Sequence, residues 1–308
     1  MAEKILIMGE SGTGKSTSLR NCNPDITAIV NPVGKPLPFK GSKKFTSLNG
    51  ETSSIKICNF MKEQVKLGKK IIVVDDFQYI LSVPYMNRIK ENGWDKWNDF
   101  GSNYYDIIDI CKELPDDVIV YYLSHCETLE NGITTVKLIG KMLREKITVE
   151  GLFTIVLKTG VSEGKYYFFT QNSGKDTVKS PMGMFDSFSV DNDLAYVDAK
   201  IRNYYELDGA ISDSQMAMMD QEKAGEVDKP ERKSRREKSN ESKQKALEEL
   251  LKEQAKDPRE DIPFNEYYES EEETKEETEL PGSFIDPPEP TTGDEEATPT
   301  RRSRRKRL

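Results

Sequence analysis

A short apolar run, KILIM (Lys4 to Met8), passes directly into GESGTGKST (Gly9 to Thr17). That junction constrains the fold more than any other stretch. Large apolar residues bounded by a glycine loop read as a strand buried on both faces, as parallel sheets require. The loop fits GxxxxGK[ST] through Gly9, Gly14, Lys15 and Ser16. Between a strand and a helix such a loop wraps phosphate. Its glycines let backbone N–H groups turn inward, and the start of a helix adds partial positive charge. Gly9, Glu10, Ser11, Gly12, Thr13, Gly14, Lys15, Ser16 and Thr17 are therefore the candidate nucleotide contacts. Lys15 is expected to bridge the outer phosphates, Ser16 to ligate Mg²⁺ through its hydroxyl, and Thr17 to approach the α-phosphate.

The chain beyond the loop alternates. Ser16 to Arg20 opens a helix, and ITAIV (Ile26 to Val30) is a second buried strand. The Pro- and Gly-rich NPVGKPLPFKG excludes regular structure. Ser53 to Leu67 has helical spacing, and KKIIVVDDF is a third strand. Ser82 to Gly101 is irregular and aromatic. Tyr104 to Leu114 is a helix closed by Pro115, and VIVYYLSH (Val118 to His125) is a fourth strand. CETLENGITT reads as a turn and Leu138 to Lys146 as a short helix. LFTIVLKTGV and KYYFFTQN form a hairpin around SEG. Asn192 to Tyr205 is a closing helix. This order is α/β, with a mainly parallel sheet and an edge β-hairpin.

Composition divides the chain at residue 207. Residues 1–207 carry 26 acids and 26 bases, whereas 208–308 carry 28 and 19. The front can bury a sizeable core; the back is a charged tail expected to be largely disordered, with a candidate helix at 243–256. Residues 266–296 hold 13 acids and one base, and RRSRRKRL ends the chain with six positive charges. Four scattered cysteines without a CxxC pair argue for core thiols rather than zinc or disulfides. No apolar run reaches the roughly 18–20 residues that span a bilayer. No membrane and a cytosolic location are the expectation.

Two further places bear on phosphate chemistry. IIVVDD (Ile71 to Asp76) delivers carboxylates beside the loop: Asp75 to hold the metal-bound water, Asp76 either to polarise an attacking water or to cap and solvate the strand end. His125, the only histidine, ends the fourth strand, the edge where open α/β sheets bind ligands. It is either a sensor of the γ-phosphate or a strand-end packing residue.

Together with this loop, VVDD, YYLSH, LIGKMLREKITVEGLFTIVL and YYFFTQNSGKDTVKSPMGMF give residues 1–207 a resemblance to the phage-encoded RecA-like AAA ATPases that act as single-strand DNA annealing and recombination proteins. The resemblance implies a RecA-like P-loop NTPase core using ATP and Mg²⁺. It also implies binding to single-stranded DNA, a homo-oligomer with ATP at the subunit interface, and work beside a single-strand DNA-binding protein. By the same likeness Arg144, Lys175 and Lys179 are candidates for a cation completing a neighbour's site, either there or as plain surface charges. One departure stands out: the strand after the loop ends at Asn31 where such proteins usually place a glutamate. Hydrolysis then passes to Asp76 or is slow. For DNA contact, Tyr85, Trp94, Trp97 and Phe100 interleave with Arg88, Lys90 and Lys96, a pattern that serves base stacking or core packing. The weaker second candidate is Glu127 to Lys137. The competing readings are a nucleotide-dependent switch or loader with little turnover, and a small-molecule kinase.

Overall fold

Apolar residues fill the central strands because both faces are covered. The computed structural model describes residues 1–93, 95–139 and 143–230, all within one compact unit, Met1–Lys238. The strands are β1 (Glu3–Gly9), β2 (Thr27–Asn31), β3 (Thr46–Asn49), β4 (Ile71–Val74), β5 (Ile119–Thr128), β6 (Thr134–Val136), β7 (Ile155–Ser162), β8 (Lys165–Phe169) and β9 (Ser189–Asp191). In β1, Leu6 and Met8 enter one core while Ile5 and Ile7 enter the other. β2 and β4 divide in the same way, with Val30 and Val74 on the first side and Ile29 and Val73 on the second. Each such burial contributes about 1.5–3 kcal/mol.

The sheet runs β3-β2-β4-β5-β1-β7-β8-β9, with β6 added to β5. Pairing is parallel from β3 through β7 and antiparallel at β7–β8, β8–β9 and β5–β6. The α/β class with a mainly parallel sheet and an edge hairpin is therefore as expected. Helices α1 (Ser54–Lys66), α2 (Tyr79–Asn87) and α3 (Asp95–Asp109) cover the first face through Ile57, Met61, Ile80, Phe100, Tyr104 and Ile107. Helices α4 (Leu194–Tyr204) and α5 (Asp213–Lys223) cover the second through Leu194, Val197, Ile201 and Met216.

Several expectations need correction. The helix expected after the phosphate loop is present as a short 3₁₀ run, Ser16–Asn21. Its end docks on the start of α4: Asn21 Nδ2 donates to Asp193 Oδ2 at 2.9 Å. The stretch expected to be irregular, 82–101, carries most of α2 and the start of α3. Glu127 to Lys137 is not a free loop, because β5 continues to Thr128 and pairs with β6. The expected helix at 138–146 is a π-helical turn, Leu143–Ile147, with 140–142 outside the described residues. Packing also continues past residue 207. Tyr196 and Lys200 of α4 both bond Asp220 of α5, and Gly225 N donates to Ser189 O at 2.8 Å. The candidate helix at 243–256 and the rest of the expected disordered tail beyond residue 230 lie outside the described residues. All four cysteines are free thiols, and no described helix is long and apolar enough to cross a membrane.

Candidate nucleotide site

Parallel pairing aligns strand ends. Gly9 of β1 lies in register with His125 of β5, and Asp75 follows β4 with its N–H donating to Val30 O at 2.8 Å. The C-terminal edge thus gathers Gly9, Asn31, Asp75, Asp76 and His125, where open α/β sheets bind ligands.

The loop is held from two sides. Lys15 is buried, and its Nζ donates to Gly9 O at 2.9 Å and Glu10 O at 2.8 Å. Thr13 Oγ1 donates to Glu10 O at 2.8 Å and lies 2.6 Å from Thr159 Oγ1 on β7. A Cβ on Gly9 would sit 1.9 Å from that same Thr159 oxygen, so any side chain there would force Thr159 to move. Gly14 has φ +96°, and a Cβ on it would come within 3.0 Å of Asn192 and Tyr166. Because the following helix is only one short 3₁₀ run, an anion here would be held by the loop's N–H groups and Lys15 rather than by a helix dipole.

Ser16 Oγ donates to Asp75 Oδ1 at 2.9 Å, and Oδ1 also accepts from Asp76 N at 3.1 Å. Asp75 Oδ2 is buried without a hydrogen-bond partner. Burial pushes the Asp75 carboxyl up to about 6, and the adjacent Asp76 charge adds to it. An orphaned carboxylate oxygen beside a serine hydroxyl fits a hard divalent cation. Among the described residues no group of three or more His, Cys, Asp or Glu could enclose a metal. Mg²⁺ does not need one, since phosphates and water supply most of its shell. Ser16 and Asp75 are the residues that would hold it.

Asp76 adopts φ +52°, a left-handed conformation that costs a non-glycine residue on the order of 1 kcal/mol. Its carboxylate is held by an ion pair with Lys35 and lies 3.6 Å from His125 Nε2. Burial would raise its pKa, but the neighbouring His125 imidazole and Lys35 ammonium outweigh that and hold it below the usual carboxylate range. His125 N donates to Gln78 Oε1 at 2.6 Å, fixing the strand end.

These groups line one open cleft of about 420 Å³ with Ser11, Gly12, Gly14, Lys15, Ser16 and Thr17. The cleft also contains Lys35, Pro36, Pro38 and Tyr166, which no sequence motif marks. Lys35 was findable, since any residue just after β2 falls at the ligand edge. Tyr166 opens the YYFFTQN run, but nothing in that run points it to the loop, because only the β7–β8 register brings it to Gly14. Asn31, where an acid was sought, is a turn former: its Nδ2 donates to Lys35 O at 2.6 Å and its Oδ1 accepts from Gly34 N at 2.9 Å.

Arg144, Lys175 and Lys179 do not line this cleft. Arg144 pairs with Glu127, while Lys175 and Lys179 are exposed. In the aromatic stretch, Trp97 packs against Tyr85 and Phe100 at centroid distances of 5.5 and 5.9 Å. Arg88 is bound to Glu91 and Asp99, and Trp94 lies outside the described residues. Core packing accounts for this cluster.

No protein-family model matches the chain, and no curated protein matches it. Solved structures do. One is described as a prototypical ATPase from the type III secretion system of pathogenic bacteria, 12% identical with a TM-score of 0.34, over 52% of this chain and 51% of that one. Another is a DnaB-like replicative helicase, described with its interactions with primase, 14% identical with a TM-score of 0.36, over 54% and 51%. The chain spans about half the length of these matched structures, 51% of each.

Proposed function

We propose that this chain is a RecA-like P-loop ATPase that binds ATP with Mg²⁺, assembles as a homo-oligomer on single-stranded DNA and promotes annealing and recombination in phage DNA metabolism. The observation that carries the nucleotide half is the hydrogen bond between Ser16 and Asp75, with the second Asp75 oxygen orphaned beside the phosphate loop. A loop hydroxyl and a strand-end carboxylate meeting at 2.9 Å make a divalent-cation position next to a phosphate cradle.

In this reading the loop N–H groups from Gly9 to Gly14 bind phosphate oxygens, and Lys15 leaves its carbonyl partners for the outer phosphates. Thr17 contacts the inner phosphate. Mg²⁺, when bound, draws charge from the phosphates. Asp76, held between Lys35 and His125, orients water. Arg144, Lys175 and Lys179 serve a neighbouring copy's ATP from their exposed positions. The resemblance in residues 1–207 supports the DNA half, with a single-strand DNA-binding protein as a companion on the strand.

Asn31 favours a second reading, an ATP-dependent switch with little turnover. Its amide is committed to the turn at Lys35, so no acid stands there to activate water. ATP turnover measured with and without single-stranded DNA decides. Stimulation by DNA is expected. Nucleotide-dependent DNA binding without turnover selects the switch, and phosphoryl transfer to a metabolite selects a kinase and overturns the proposal.

A further inference from the structure

We infer that Lys35 is the cation that distinguishes a triphosphate from a diphosphate, supplied by the same copy of the chain that supplies the phosphate loop. This rests on the nucleotide reading above and assigns the terminal-phosphate end of the cleft.

Lys35 lines the cleft together with Ser11, Gly12, Lys15 and His125. The backbone that carries it is fixed. Asn31 accepts from Gly34 N through both its main-chain and side-chain oxygens, at 3.0 and 2.9 Å, and donates to Lys35 O. The same Asn31 carbonyl also accepts from Gly50 N at 2.9 Å, tying the loop to the end of β3. Pro36 and Pro38 stiffen the chain on the other side of Lys35. The strand end that lacks an acid therefore delivers a base.

The Lys35 side chain is 48% exposed, while that of its partner Asp76 is 2%. An ion pair built only to neutralise Asp76 does not need a lysine side chain half open to solvent, and His125 already faces the other carboxylate oxygen at 3.6 Å. An ammonium has three donors and a flexible stem. Lys35 can turn toward a ligand entering the cleft without moving its backbone.

Asp76 puts an anion into a cleft that must accept phosphate, and like charges at close range repel. Lys35 lies against that anion, so it screens Asp76 and adds attraction. The effect grows with each added phosphate charge. Lys15 serves both di- and triphosphates from within the loop; Lys35 supplies the additional cation that a terminal phosphate requires.

The test is the dissociation constant of the full chain for Mg²⁺-ADP and for a slowly hydrolysed Mg²⁺-ATP analogue. Wild type, Lys35→Ala, Lys35→Arg and Lys15→Ala are compared, with melting in the absence of nucleotide as a check on folding. Lys35→Ala is expected to weaken the triphosphate about tenfold or more and the diphosphate by no more than about twofold, with Lys35→Arg in between. If Lys35→Ala does not fold, Lys35→Met keeps the stem and takes its place. Equal losses for both ligands, or no loss for either, overturn the inference. The two failures separate cleanly. A wild type that binds neither nucleotide, indistinguishable from Lys15→Ala, brings down the nucleotide reading and this inference with it. If wild type binds both and Lys15→Ala binds neither while Lys35→Ala fails to discriminate, only the role of Lys35 falls.

Discussion

The cleft and the exposed cations are built by opposite rules. In and beside the cleft these charged groups are positioned by their neighbours: Lys15 by two loop carbonyls, Asp75, behind the lining, by Ser16, and Asp76 by Lys35 and His125. Of these, Lys15, Asp75 and Asp76 are buried. Arg144, Lys175 and Lys179 sit on the surface, with Arg144 spent on Glu127. A residue fixed by internal partners has a chemistry that one copy of the chain can perform. A surface cation acquires a role only from a second molecule. The cleft's charged groups are thus set within one copy of the chain, while a role for the exposed cations requires a second molecule.

The strongest way to break that contrast is Lys15→Ala. It removes the buried ammonium from the loop, and nucleotide affinity is expected to fall about 100-fold or more, measured by titration of a fluorescent nucleotide, with the fold retained by circular dichroism. Unchanged affinity would place nucleotide binding elsewhere and dissolve the distinction. Acid is the next probe. The folded chain holds the Asp75 proton up to about pH 6, against the ordinary aspartate value of 3.8. Between those values the folded state binds more protons than the unfolded one, so the Asp75 contribution to stability is present at low pH and is lost as pH rises through that window. Mg²⁺ needs the carboxylate. Mg²⁺-nucleotide affinity is therefore expected to be level above about pH 6 and to weaken toward tenfold per unit below it. Asp75→Asn should flatten that profile, and a wild-type profile that stays level down to about pH 4.5 would remove Asp75 from the metal position.

A smaller effect is expected from Gly9→Ala, which forces a methyl against Thr159 Oγ1. Overpacking of this kind costs about 1–3 kcal/mol. Chemical denaturation should show that loss, and adding Thr159→Ala should recover part of it. No recovery would mean that the loop, rather than β7, sets the limit. The pair also marks the boundary of what the sequence disclosed. Gly9, Lys15, Ser16 and Asp75 were legible because a contiguous motif and a period-two strand put them at one sheet edge. Thr159 and Tyr166 were not, since their places depend on strand order and hairpin register. α2 and the first half of α3 were misread for a local reason. Pro84 and Gly101 look like breaks, yet Phe100, Tyr104, Ile107 and Ile108 form one face that the sheet buries. α5 was lost in the tail's polar composition, although its capping box, Ser212 with Gln215, was present in the sequence.

The smallest single-copy effect belongs to the surface set. Replacing Arg144, Lys175 and Lys179 together by alanine should change stability by only about 0.5 kcal/mol, because exposed charges and surface ion pairs contribute little. Nucleotide affinity of the dilute protein should stay within about twofold of wild type, since none of the three lines the cleft. The informative quantity is the dependence of turnover on protein concentration. If these cations complete a neighbour's site, wild-type turnover per copy rises with concentration or with added single-stranded DNA, and the triple variant stays at the dilute value. If the variant rises in parallel with wild type, the cations are surface charges and the site is complete in one copy. If the triple variant already loses nucleotide affinity when dilute, the cleft and the surface are one system, and the contrast between them is wrong.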